Sequence, residues 1–242
     1  MQIKDLITGC FIFGAFLSAC QQQGKNGGAS NEHDSITTVR NKVMEDAGRK
    51  KEAYLKQLKA MSPAQLITAM EAESEKGREP YNSLVFAEVT SRNKSMTESL
   101  KASLDKPGKA ALLNLLALRK IDKASYDSVN AAIKSSILTI SLKGSHYFNT
   151  WGLPHSYWED GGKAIIEQGR LIRPALIPLL SDTSQAPMWG SEEYYEYNRY
   201  KYRVCDYAMA FINEIDQHKV PVPMDVNARD SSIRTFLNKS GR

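Results

Sequence analysis

An all-α fold is predicted by three features of this sequence. Apolar residues recur every three or four positions over most of its length. The segments that carry them are bounded by Ser-Pro, Pro-Gly and single glycines. No stretch alternates apolar with polar residues as a half-buried strand would, so sheet content near zero is expected. The 242 residues are 42% hydrophobic and 24% charged, which is enough to bury a core and excludes wholesale disorder or a collagen-like repeat.

The first twenty residues stand outside that fold. Leu6 to Ala19 is an unbroken apolar or small stretch. As a helix it would span roughly 21 Å, short of a ~30 Å hydrocarbon core, so it fits the hydrophobic region of a secretory signal better than a membrane span. Lys4 is the only basic residue before it. Leu17-Ser18-Ala19-Cys20, followed by three glutamines, resembles a bacterial lipobox. The resemblance implies that residues 1–19 are removed as a lipoprotein signal peptide. Cys20 would then carry a diacylglycerol on sulfur and a palmitate-type acyl group on its amine, and the protein would sit on the periplasmic side of the envelope. Gln21 in place of an aspartate leans towards the outer membrane. At about 0.8 kcal/mol per buried methylene, several acyl chains anchor stably where one does not. With Cys10 removed and Cys20 alkylated, Cys205 remains as a small buried side chain, and no internal disulfide is available.

Residues 20–35 read as the lipidated cysteine and a flexible tether rich in Gln, Gly, Asn and Ser, and 36–240 as the helical domain. Asp34 or Ser35 is the expected cap of a first helix carrying Ile36, Val39, Val43, Ala47, Tyr54, Leu55, Leu58 and Met61. Ser62-Pro63 opens a second helix to Glu75. A third runs from Tyr81 to about Arg92, and a fourth over Met96, Leu100 and Leu104 to Pro107-Gly108. Ala110–Arg119 is leucine-rich. Ser125–Leu142 follows as one helix with Val129, Ala132, Ile133, Ile137 and Ile140 inward. Trp151 to Gly162 is loop-like by its Gly and Pro content. Lys163–Gln168 is a short helix, and Leu171–Leu180 is one in which Pro178 must open or kink the turn. Tyr200–Ile215 has a strong apolar face, and Asp230–Asn238 is a short last helix.

Pro174-Ala175-Leu176-Ile177-Pro178-Leu179-Leu180-Ser181-Asp182, with the helix from Arg203 through Ile215, resembles a HEAT repeat: a proline-bent helix ending in Leu-Leu-x-Asp, then a second helix that buries alanines. The resemblance implies an α-α superhelix, a right-handed stack of antiparallel helix pairs, with room for four or five pairs at ~40–47 residues each. The family's ladder joins such an aspartate to such an arginine. Here an aromatic-rich insert at 183–202 separates Asp182 from Arg203, and Arg203 precedes Val204 instead of following it.

Chemistry is thinly signalled. His33, His146, His155 and His218 have no partner spacing for zinc, and neither Cys-x-x-Cys nor His-Glu-x-x-His occurs. Gly161-Gly162-Lys163 lacks the spacing of a phosphate-binding loop, and no nucleophile–base pair stands out. No cofactor or metal is expected. Residues 21–120 carry 17 basic and 12 acidic side chains, and 121–242 carry 14 of each, so the first helix, with Arg49, Lys50, Lys51, Lys56 and Lys59, is the basic one. Outside the cytoplasm its plausible anions are lipid or lipopolysaccharide phosphates, not nucleic acid. Residues 147–207 hold twelve of the 21 aromatics and all three tryptophans. Tyr and Trp with interspersed charge are the composition of recognition surfaces. The expected function is therefore that of a monomeric, non-catalytic scaffold or adaptor, possible as an immunity-type protein, which binds another protein through Trp151, Trp158, Trp189, Tyr194, Tyr197, Tyr200 and Arg203. The alternatives are a glycan- or peptidoglycan-binding module using the tryptophans, and a hydrolase using Glu159 and Asp160 or the Glu192 cluster.

Overall fold

The computed structural model describes residues 30–75, 83–144, 148–186, 191–218 and 220–240. The predicted signal, Cys20 and Trp189 lie outside them. The fold is all-α apart from one two-residue hairpin and an isolated bridge, and among the described residues no helix is long and apolar enough to cross a membrane. The chain divides after Met61 into two compact units.

Among the described residues the first unit carries one helix, α1 (Ser30–Ala60). It begins inside the expected tether, upstream of Asp34.

The second unit opens with α2 (Pro63–Glu75). Ser62 Oγ accepts from Gln65 N at 3.3 Å, and the Gln65 side chain accepts from Ser62 N at 2.8 Å, a reciprocal cap read correctly from Ser62-Pro63. Next come α3 (Leu84–Ser91), capped by Ser83, and α4 (Thr97–Asp105). α5 (Ala111–Ile121) is buried over every residue from Ala111 to Leu118 and packs on α3, α4, α6, α7 and α9, which makes it the hub of this half. A helix apolar all round must be surrounded.

The helix expected over 125–142 is two helices, α6 (Lys123–Ser128) and α7 (Ala131–Leu142). Val129 is extended, and Asn130 Oδ1 accepts from Ala132 N at 2.8 Å, so the asparagine starts a new helix where periodicity alone continues the old one. The break also turns the buried face. Leu138 and Leu142 are inside, whereas Ile140 and Ala132 are exposed. Lys134 is buried with its amine donating to the Tyr126 and Asp127 carbonyls at the end of α6.

The segment read as a loop after 150 is ordered. α8 (Phe148–Trp151) leads into strands β1 (Gly152–Leu153) and β2 (Tyr157–Trp158), which pair antiparallel, and then into α9 (Asp160–Gln168). Gly152 has φ +84°, and a Cβ there would sit 2.4 Å from the Tyr157 carbonyl oxygen; one at Gly162 would sit 2.4 Å from that of Trp151. Close backbone approach explains both glycines. Pro178 acts as expected: α10 (Arg173–Leu176) passes into a 3₁₀ turn over Ile177–Ser181.

Residues 191–200 of the insert form a helix, α11 (Ser191–Tyr200). Its approaches are zipped together: Ala186 N donates to Tyr202 O at 3.1 Å, Val204 N to Ser184 O at 3.0 Å, and Gln185 bridges Arg203. Pinned ends let the fold tolerate so long an insertion. α12 (Val204–Ile215) and α13 (Val226–Ser240) complete the unit, with α12 packed on α9, α10 and the 3₁₀ turn.

Candidate functional site

The residues with the most concerted chemistry lie where the hairpin, α11, α12 and α13 meet. His155 sits in the turn between β1 and β2. Glu196 and Tyr200 fall four apart on α11 and so share a face. Lys201, at φ +48°, reverses the chain and brings Tyr202 in behind them.

The three rings are nearly parallel. His155 lies 4.3 Å from Tyr200 and 5.9 Å from Tyr202, and the two tyrosines are 5.0 Å apart, with interplanar angles of 11–18°. His155 Nδ1 is 2.5 Å from the Tyr202 hydroxyl, and Nε2 is 3.3 Å from Glu196 Oε2. The Nδ1–hydroxyl hydrogen bond joins ring to phenol, while Nε2 stands in ion-pair range of the carboxylate but not in hydrogen-bond geometry. The carboxylate–imidazole–phenol order looks catalytic, but the Tyr202 side chain is fully buried and burial pushes its hydroxyl far above the usual phenol range. It cannot serve as a nucleophile or meet a substrate. The set is a clamp holding the hairpin to α11.

Burial also lowers the His155 pKa, against the charge of Glu196 and with that of Arg199. As pH falls, the unfolded chain binds its proton first, near pH 6.5, and the folded chain only at lower pH. The stability is therefore present above about pH 6.5 and is lost as pH falls from there through the folded-state value. The midpoint of urea unfolding is expected to drop between about pH 7.5 and 5.5, and to drop less in His155→Gln.

Below the clamp lies a buried ion cluster. Arg203 binds Asp206 through Nε (3.1 Å) and Nη2 (2.9 Å), and Asp230 through Nη2 (2.6 Å). Asp206 also accepts from Arg203 N at 3.0 Å, capping α12. Arg229, itself buried, has Nε 3.2 Å from Asp206 Oδ1 in ion-pair but not hydrogen-bond geometry. Its Nη groups donate to the carbonyls of Tyr200, Pro223 and Met224 at 2.7–3.0 Å. Its guanidinium lies 5.6 Å from the Tyr202 ring centre. Arg203 holds the Asp230 carboxyl below its usual range. The cluster ties the end of α11 and the start of α12 to α13.

The residues expected to bind a partner take different roles here. Trp151 is a core residue, 2% exposed, and its Nε1 has no hydrogen-bond partner among the described residues. Trp158 stacks on Phe211 at 4.3 Å and meets Tyr207 edge-on. Tyr200 is half-buried in the clamp, and Arg203 is occupied by Asp206 and Asp230. Asp182, the other half of the expected ladder, bonds Ser184 and lies 3.7 Å from Lys143. The side chains of Tyr194, Tyr197 and Glu192 lie outside the described ones. Asp160 lies 3.7 Å from Arg119, which is bound bidentately to Glu167, and Glu159 supplies the backbone cap position of α9.

The outer face of α11 does offer a surface. Tyr195, 68% exposed, is followed at i+3 and i+4 by exposed Asn198 and Arg199, and Arg199 Nε lies 3.0 Å from the sulfur of exposed Met224. Sequence reasoning found the aromatic segment but missed His155, Glu196, Tyr202, Asp206, Arg229 and Asp230. The four-residue step from Glu196 to Tyr200 and the three-residue step from Arg203 to Asp206 were the available signals.

A cavity of ≈ 30 Å³ between α12 and α13, lined by Asp206, Met209, Asn213, Val222 and Arg229, has room for a water or two and is too small for a metabolite. Among the described residues no group of three His, Cys, Asp or Glu is placed to hold a metal ion. Cys205 is buried, and burial with the negative charge of Asp206 pushes its thiol up to about 11, so it is inert as a nucleophile. Comparison with protein-family models, with curated proteins and with solved structures gives no match.

Proposed function

We propose that this chain is a lipid-anchored bacterial envelope protein, held at Cys20 on the periplasmic side with a lean to the outer membrane. In this reading it works without a chemical step, as a scaffold or adaptor that grips another protein. One observation carries it: the inner face of α11 is clamped by His155, Glu196 and Tyr202 and footed on the Arg203–Asp206–Asp230–Arg229 cluster, while its outer face presents Tyr195 and Arg199 beside the exposed Met224 of the segment before α13. An aromatic, a guanidinium and a thioether on a rigid support are the composition of a protein contact. The proline-bent α10 lying against α12 supports a HEAT-like stacking of helix pairs. Burial of Trp151 and the internal stacking of Trp158 weigh against the glycan reading, and the ion pair at Asp160 against the hydrolase.

The test is a crosslinking capture from intact envelopes with the tagged full chain. One stoichiometric partner is expected, and Tyr195→Ala with Met224→Ala is expected to weaken capture by about tenfold or more. Trp189→Ala with Tyr197→Ala extends the same test to the rest of the insert. Capture unchanged by both pairs, or no stoichiometric partner, overturns the reading.

A further inference from the structure

α1 has an apolar face that nothing in the proposed function uses. Val39, Val43 and Met44 are 62%, 48% and 52% exposed. At about 100° per residue they share with Ala47 an arc of about 140° on the helix. Arg40 and Lys51 project within that arc, both exposed and, among the described residues, without an ion pair. Glu45 and Glu52 fall on the opposite side, about 150–170° from the centre of the arc. Asp46, at its edge, is neutralised by Lys50 at 2.7 Å and Arg49 at 3.6 Å.

We propose that this face of α1 lies along the surface of the membrane that holds the anchor, with Val39, Val43 and Met44 among the acyl chains and Arg40 and Lys51 on the phosphodiesters of anionic phospholipid. Two basic side chains in the middle of an apolar arc are wrong for a dry protein groove, which would leave them buried and unpaired. They suit a lipid interface, where long side chains bend up to the headgroups. Segregation of the unpaired acids to the far side supplies the charge complementarity. Nine residues separate Cys20 from the start of α1, a reach of at most about 30 Å, so an anchored Cys20 keeps the helix within range of its own bilayer. The inference rests on the anchoring reading for that proximity, but not for the composition of the face.

The experiment places a nitroxide at Val43→Cys and, as the control on the opposite side, at Glu45→Cys, in the full native chain. Acylation of Cys20 and burial of Cys205 leave the introduced thiol as the one that takes label. Vesicles of phosphatidylcholine alone are compared with an equimolar mixture of phosphatidylcholine and phosphatidylglycerol. On the mixture, position 43 is expected to gain oxygen accessibility and lose water-soluble nickel accessibility several-fold, with position 45 unchanged. Arg40→Glu with Lys51→Glu is expected to abolish the shift. Equal water exposure of both positions on the anionic vesicles overturns the proposal. So does shielding of position 43 in lipid-free detergent with dipolar broadening, which would assign the face to a second copy of the chain. Mass spectrometry of the labelled protein separates the two ideas. A second label, on Cys20, shows that its sulfur is not acylated and so overturns the anchoring reading alone, and flotation of that unanchored chain then decides the face: binding to the anionic vesicles alone supports it, and binding to neither overturns it.

Discussion

Asp206→Ala is expected to destabilise the protein by about 3–5 kcal/mol, read as a fall in the urea midpoint followed by tryptophan fluorescence. The Asp206 side chain is fully buried and serves three groups at once: the Arg203 guanidinium, the backbone N–H of Arg203 and Arg229. Removing it leaves Arg203 mostly and Arg229 almost wholly out of water with one of their counter-charges gone, and uncaps α12. Desolvation of an uncompensated charge is the dominant cost, larger than the loss of any one hydrogen bond. Asp206→Asn, which keeps an acceptor but not the charge, should fall between wild type and the alanine variant. A cost below about 1 kcal/mol would show the cluster to be solvated, and would return Arg203 to the set of residues free to meet a partner.

The second large effect has the opposite sign. Asn114 lies in the middle of α5, fully buried among leucines, and neither atom of its carboxamide has a hydrogen-bond partner among the described residues. Asn114→Leu keeps the branched four-atom skeleton and removes the buried amide, so, with the cost of its larger methyl groups set against the desolvation relieved, it is expected to raise stability by about 1 kcal/mol, with a higher urea midpoint at unchanged slope. Loss of stability on this substitution would instead show that the amide is satisfied by an ordered water. Native chains seldom leave such a group in the core without a use, so the capture assay that tests the proposed function is repeated with the stabilised variant.

Elements whose own pattern decides them were legible. α5 announces itself by five leucines and two alanines in the eight residues from Ala111, α12 by Val204, Tyr207, Ala208, Phe211 and Ile212 on one face, and α2 by Ser62-Pro63. The break at Val129-Asn130 was not, because a capping asparagine and a helix-interior asparagine look alike until the side chain is placed. Nor was α11: Ser-Glu-Glu-Tyr-Tyr-Glu-Tyr-Asn has little apolar periodicity, and its helix is held by the His155 ring, the Arg229 contact to the Tyr200 carbonyl and the zipped ends of the insert, all contributed from elsewhere in the chain.

The candidate site divides in the same way. Composition located the aromatic region between 147 and 207 but assigned Trp151, Trp158, Tyr200 and Arg203 outward, and these are the side chains the fold turns to its own use. A tryptophan or an arginine has the same preference for a core clamp as for an interface, since both bury aromatic area and satisfy a guanidinium.

By itself, the sequence determined that the chain is helical, where its two most buried helices run, and that Pro178 bends the segment leading into α12. Those follow from local periodicity and backbone chemistry, which short segments carry with them. Only the tertiary structure decided which aromatic rings are spent inside and which face out, that His155 meets Glu196 and Tyr202, and that Asp206 gathers two arginines. Each of those depends on residues between three and forty-seven positions apart arriving at one place, and proximity in space is set by packing of whole helices, for which no single segment holds the information.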